Sequence, residues 1–172
     1  RATGPARLLV ATSRDVSKRR QVPALQNDHP RSIAPLFAMP RLIERLSDED
    51  GAVRYWAATG LANLGAPAGS AEPFLRARLT DESPDVRIAV AQALCQMGRI
   101  DLGLPTLIEE LKHDDPWLRL AAANAIDYVG EKAGPAVPAM RSFMASDDRE
   151  NLFVRWVFGN TLRTLKLDPK PR

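Results

Sequence analysis

The chain is poor in the residues from which active sites are usually built. Its 172 residues include one cysteine, Cys95, which excludes an internal disulfide and leaves the redox compartment open. The two histidines, His29 beside a proline and His113 in an acidic turn, are too few and too far apart to form a zinc site by spacing. The acidic turns lack the alternating Asp/Asn pattern with a distal Glu that a calcium loop requires. There is no Gly-rich phosphate loop, no Gly-x-Ser-x-Gly and no His pair at helical spacing, so no enzyme motif is present and no cofactor is expected. Nor does any apolar run reach membrane-spanning length or any signal-peptide pattern open the chain.

What is present is a repeat. Pro40, Pro73, Pro105 and Pro138 are spaced 33, 32 and 33 residues apart, and Arg54, Arg87, Arg119 and Arg155 are spaced 33, 32 and 36. Self-similarity at this period means that each unit cannot bury its apolar face alone and must stack on its neighbours. Each proline is expected to open a first helix, A. Its core stripe is Leu42, Leu75, Leu107 and Met140, followed by Leu46, Leu79, Leu111 and Met144. Turns rich in Asp, Ser, Gly and Pro follow at Ser47–Gly51, Thr80–Pro84 and Lys112–Pro116. A second helix, B, then starts at Val53, Val86, Leu118 and Val154, with Leu61, Leu94, Ile126 and Leu162 on the same face.

Two further columns have a packing meaning. Ala58, Ala91, Ala123 and Gly159 are small and should sit where neighbouring helices approach most closely. Gly65, Gly98 and Gly130 close the first three B helices, as a left-handed C′ residue does. In the fourth unit Lys166 holds that place and few residues remain, so the stack is expected to end there.

The proline in helix A, the Asp in the turn and the Val-Arg pair opening helix B resemble HEAT repeats over about residues 35 to 166. The resemblance implies an all-α fold: a right-handed α-solenoid of four helical hairpins, about 35–65, 66–98, 99–130 and 131–166, forming a domain over 35–172. Residues 1–34 would form a basic N-terminal segment with one short helix near Ala6–Ala11 and a linker. In HEAT proteins the turn Asp and helix-B Arg form a ladder between units. By resemblance Asp48, Asp81, Arg54, Arg87, Arg119 and Arg155 would therefore be structural. Two departures stand out: His113 replaces the turn aspartate, and the fourth turn, Ala145 to Phe153, is three residues longer.

The strings Val53-Arg54-Tyr55-Trp56-Ala57-Ala58, Val86-Arg87-Ile88-Ala89 and Pro116-Trp117-Leu118-Arg119 are similar, more narrowly, to the HEAT-like tail after the catalytic domain of bacterial sulfatases. The chain begins at Arg1 without a methionine, as expected of a piece of such a parent, whose location would be exported or periplasmic. That family takes its nucleophile from a Cys-x-Pro-x-Arg motif. The nearest string here, Cys95-Gln96-Met97-Gly98-Arg99, has Met97 in place of the proline, and Cys95 reads as a small buried residue.

Charge and aromatics leave alternatives open. Residues 1–34 carry +5 and the remainder −2, so the net +3 comes from the N-terminal part. Lys18-Arg19-Arg20 reads as a solvated linker or as an anion contact. Tyr55, Trp56, Trp117 and Trp156 lie near the starts of B helices, where they either fill the core or form a binding face. Three readings follow. One is a non-catalytic interaction or scaffold module at the C-terminal end of a sulfatase-like hydrolase, with an upstream domain or a subunit as protein partner. Another is a free-standing HEAT adaptor. The last is a DNA enzyme resembling the alkylpurine glycosylases, with Asp127 as its acid; the −2 balance of the repeats argues against that strong phosphate-binding face.

Overall fold

The computed structural model describes residues 33–145 and 149–167. The readings placed on Ala6–Ala11 and on the basic run at 18–20 lie outside the described residues. Eight α-helices are present among these, with no strand: α1 (Ile33–Arg45), α2 (Gly51–Leu64), α3 (Glu72–Arg76), α4 (Pro84–Gln96), α5 (Ile100–Glu110), α6 (Pro116–Val129), α7 (Val137–Ala145) and α8 (Leu152–Thr164). Odd-numbered helices are the A members and even-numbered helices the B members of four hairpins. The B helices pack side by side in the order α2, α4, α6, α8. The architecture is the all-α solenoid that the repeat predicts.

The prolines open only two of the A helices. Pro73 and Pro138 are the second residues of α3 and α7, whereas Pro40 and Pro105 lie inside α1 and α5. The reason is local sequence. Repeats two and four carry Pro67 or Pro135 with neighbouring glycines before the helix, and those stretches wind as 3-10 turns, Ala66–Ala71 and Gly130–Ala136. The stretch from Ile100 to Leu104 has no proline and continues the α-helix upstream, at the cost of the bond that Pro105 cannot donate.

The helix ends follow their sequences closely. Asp50 and Asp115 cap α2 and α6, each accepting a bond of 2.8 Å from the backbone N–H of Ala52 and Trp117. Pro84 and Pro116 occupy the first positions of α4 and α6, where the missing N–H costs nothing. Gly65, Gly98 and Gly130 have φ of 60°, 87° and 64°. At Gly65 and Gly130, however, ψ is −140° and −135°, outside the left-handed helical well expected for a C′ residue. The chain leaves the helix there in an extended form that side chains rarely allow. Lys166 keeps the positive φ, 57°, and the Leu167 N–H reaches back to the Leu162 carbonyl at 2.9 Å, so the fourth B helix ends in a Schellman turn without glycine.

The core runs along the stack. Leu61, Leu94, Ile126 and Leu162 are buried in all four B helices, as are Leu75, Leu107 and Met140 in the A helices. Other stripe positions are less covered: Leu42 and Leu79 are half-buried and Met144 is exposed. Helix α4 is buried on two faces. Val86, Ala89, Val90, Ala93 and Leu94 join the core of the first two repeats, while Ile88, Ala91 and Cys95 join that of the last two.

The closest contact joins α4 to α5. Ala58, Ala91 and Ala123 are fully buried as the small-residue column requires, and Gly159 is half-buried. A second small column, two residues before each proline, was not singled out in sequence: Ala71, Gly103 and Ala136 are buried, and Ala38 of the first repeat is exposed. A Cβ on Gly103 would lie 2.2 Å from the Ala91 carbonyl oxygen and 2.7 Å from Cys95 Sγ. Gly103→Ala should therefore lower stability by about 1–3 kcal/mol, since backbone must move to admit one methyl group. Ala91→Leu should cost a similar amount. A urea midpoint unchanged in both variants would show that this helix pair has slack.

Candidate functional site

Three of the four repeats hold the same arginine clamp. Near the start of each B helix the guanidinium folds back and its Nη1 donates to two carbonyls of its own turn. Arg54 bonds the Asp48 and Glu49 carbonyls at 3.0 and 2.9 Å. Arg87 bonds those of Asp81 and Glu82 at 2.9 and 3.3 Å. Arg119 bonds those of His113 and Asp114, both at 2.8 Å. A planar fork with five donors can do this and still present its other edge to a carboxylate.

That other edge joins consecutive repeats. Arg54 grips Asp81 of the second unit with Nε to Oδ2 at 2.9 Å and Nη2 to Oδ1 at 2.8 Å, and both side chains are buried. Glu82 adds an exposed contact at 3.0 Å. Burial by itself raises the Asp81 pKa, but the bonds from Arg54 and from the Ser83 N–H outweigh it and hold the carboxyl below its ordinary value. Asp48, in the first turn, is paired within its own repeat. It accepts the Asp50 N–H at 3.1 Å and Arg45 at 2.9 Å, and these also lower its pKa.

The third repeat shows how the departure at His113 is accommodated. His113 keeps the local duty of the aspartate, since its Nδ1 accepts the Asp115 N–H at 3.0 Å as Asp48 Oδ1 accepts that of Asp50. It cannot supply the charge. Arg87 instead pairs with Glu110, Nε to Oε1 at 2.5 Å and Nη2 to Oε2 at 3.1 Å. Glu110 occupies the column held by Arg45 and Arg78 in the earlier repeats. The two positions have thus exchanged roles, Arg…Asp in the first two units and Glu…His in the third. Sequence reasoning noted His113 but missed Glu110; the reversal of charge three residues upstream was the signal. Arg155 is half-buried and enters no hydrogen bond among the described residues.

The tryptophans do not fill the core. Trp56, Trp117 and Trp156 are 67%, 70% and 70% exposed, and Tyr55 is half-buried with its ring edge-on to Trp56 at 5.2 Å. Nor do the four aromatics form one row. Counting by repeat, Tyr55 shares its column with Trp156, Trp117 shares its column with Phe153, and Trp56 stands apart. The densest exposed group lies at the starts of α6 and α8. There Trp117, Leu152 and Phe153, with Pro116 and Leu120, line an apolar hollow of about 260 Å³. Leu152 and Phe153, each 61% exposed, were missed in sequence because the longer fourth turn obscured their register.

Two residues considered for chemistry have structural surroundings. Cys95 is buried, and burial pushes its thiol up to about 12, with Asp101 adding to the effect, so it is not a nucleophile at neutral pH. Asp127 accepts the hydroxyl of Thr161 and so ties α6 to α8. The ladder arginines are not free to contact a partner: Arg54 and Arg119 are buried and bound to their turns, and Arg87 is taken by Glu110.

A stack of paired helices held by arginine–acid links is an α-solenoid. Residues 39–102 match the family model for HEAT repeats, a match that covers the first two hairpins and the start of the third. No curated protein matches the chain. No helix among the described residues is long and apolar enough to cross a membrane.

Two predictions test the clamp. Glu110→Ala should cost about 1–3 kcal/mol because the half-buried Arg87 loses its carboxylate. Adding the second-repeat arrangement, Glu110→Arg with His113→Asp, should recover at least half of that loss in urea unfolding. A double variant no better than Glu110→Ala would mean that the two columns are not interchangeable. For Asp81 the folded pKa is depressed, so its stabilisation is full above the unfolded value near 4 and is lost as pH falls toward the folded value. Melting temperature should fall more steeply below about pH 4 in the parent than in Asp81→Asn, and equal acid slopes would exclude Asp81 as the linked group.

Proposed function

We propose that this chain is a non-catalytic module that docks a protein, and that the exposed aromatic group at the starts of α6 and α8 is its contact surface. The observation that carries this reading is the clustering of Trp117, Leu152 and Phe153, all more than 60% exposed, around one apolar hollow. Large exposed apolar patches are uncommon on surfaces that face only water, and tryptophans supply much of the binding energy where proteins meet. Tyr55 and Trp56 form a smaller aromatic pair on α2.

The partner we favour is the upstream catalytic domain of a sulfatase-like parent, in which sulfuric ester hydrolysis belongs to that domain and this one orients or dimerises it. The strings at residues 53–58, 86–89 and 116–119 support this parent. An exported or periplasmic setting follows from it.

The test begins with the open reading frame upstream of Arg1. A domain containing Cys-x-Pro-x-Arg supports the parent, and a start codon just before Arg1 excludes it, leaving a free-standing adaptor. With such a domain in hand, sedimentation should detect its complex with this chain, and Trp117→Ala with Phe153→Ala should weaken that complex at least tenfold without lowering the melting temperature. Undiminished binding would remove the aromatic group from the interface.

A further inference from the structure

The contact between consecutive repeats has two halves. The forward half comes from helix B: the clamp arginine, the residue after it and the small residue three further on. In α4 these are Arg87, which reaches Glu110, and Ile88 and Ala91, which join the core of the last two repeats. The fourth repeat carries Arg155, Trp156 and Gly159 in the same columns. Trp156 is 70% exposed, whereas Ile88 is buried and Tyr55 and Leu120 are half-buried. Arg155, half-buried, enters no hydrogen bond or ion pair among the described residues. A Cβ on Gly159 would meet only the Met144 side chain, at an ordinary 3.5 Å. Glycine inside a helix is less stable than alanine, so packing among the described residues gives no reason for it.

The receiving half comes from helix A and its turn. Leu102 packs back on the core of the first two repeats, and Gly103 presses on the Ala91 backbone. Asp81 and Glu82 take the Arg54 guanidinium. The first repeat holds Phe37 and Ala38 in the columns of Leu102 and Gly103, and Asp48 and Glu49 in those of the two acids. Phe37 is 77% exposed, Ala38 and Glu49 are exposed, and Asp48 has only the exposed Arg45 as an ion partner among the described residues. Charge differs in the same sense. Residues 137–145 and 152–167 contain Arg141, Arg155, Arg163 and Lys166 and no acid, while the first turn contains Asp48, Glu49 and Asp50.

We propose that the fourth repeat of one copy of this chain docks on the first repeat of a second copy, head to tail, so that the contact made between repeats is made again between molecules. Arg155 then takes Asp48 and Glu49 as Arg54 takes Asp81 and Glu82, Gly159 meets Ala38 as Ala91 meets Gly103, and Trp156 and Phe37 are covered together. The match is apolar to apolar, small to small and cation to anion, which selects this partner over a merely greasy one. The two patches differ, so the contact is heterologous: it grows into a row of copies unless its rotation closes a ring. It uses none of Trp117, Leu152 and Phe153, and stands independently of the docking hollow proposed above.

Sedimentation velocity of the whole chain, from micromolar to millimolar concentration, is the test. The parent should show a mass that rises with concentration. A tail variant, Arg155→Glu, and a head variant, Ala38→Arg with Asp48→Asn, should each weaken self-association about tenfold or more at unchanged melting temperature. The decisive sample is their equimolar mixture. Each variant keeps one intact patch, and the two patches are opposite, so the mixture should form dimers and nothing larger at a concentration where either variant alone is monomeric. Misfolded variants would not recover binding on mixing. The proposal is overturned if the parent stays monomeric throughout, if either variant associates as the parent does, or if the mixture remains monomeric.

Discussion

The arginine near the start of each of the first three B helices is the constraint on which the stack depends. One guanidinium closes its own turn through two carbonyls and, in the first two repeats, crosses to an acid of the next unit. Local turn geometry and the spacing between repeats are therefore set by the same side chain. Such a buried charge pair adds less to stability than its short distances suggest, because both ions lose water. Its effect is to penalise any register in which either ion is left alone. The third repeat shows that the requirement is for a carboxylate at the right point in space, since Glu110 reaches Arg87 from the helix when the turn offers His113.

Around that link, packing does the rest. Helix α4 is covered from both sides and contributes to both halves of the core, and this continuity makes the repeats one structure instead of separate hairpins. Gly103 lets α5 press against the α4 backbone, a contact too close for any side chain. A solenoid of this kind leaves two long surfaces, and here their chemistry differs. The A helices and turns carry much of the charge, while the exposed B-helix face has aromatics near the starts of α2, α6 and α8 and neutral amides along its middle.

That division has a functional consequence. Several groups fit for chemistry are spent on structure, as with Arg54, Arg87, Arg119, Asp81, Glu110 and Asp127, and the Cys95 thiol is buried. What remains on the surface includes an apolar hollow lined by Trp117, Leu152 and Phe153.

The repeat period, the small column at Ala58, Ala91 and Ala123, the capping aspartates and the terminating glycines could all be read from the sequence. Each depends on interactions within a few residues or on a column repeated in register. The all-α solenoid follows from them. Other features appeared only when the chain was folded. The exchange of Glu110 for the missing turn aspartate joins residues 23 apart, and no local rule pairs them. Whether a tryptophan at the start of a B helix is covered or open depends on how far the neighbouring unit extends over it, which the longer fourth turn shifted out of register. The sequence by itself determined that the chain must stack and which faces meet in the core, because apolar periodicity leaves no other way to exclude water. Only the tertiary structure decided which charges pair across repeats and which aromatics remain in solvent, because those outcomes depend on distances between units that are far apart in the chain.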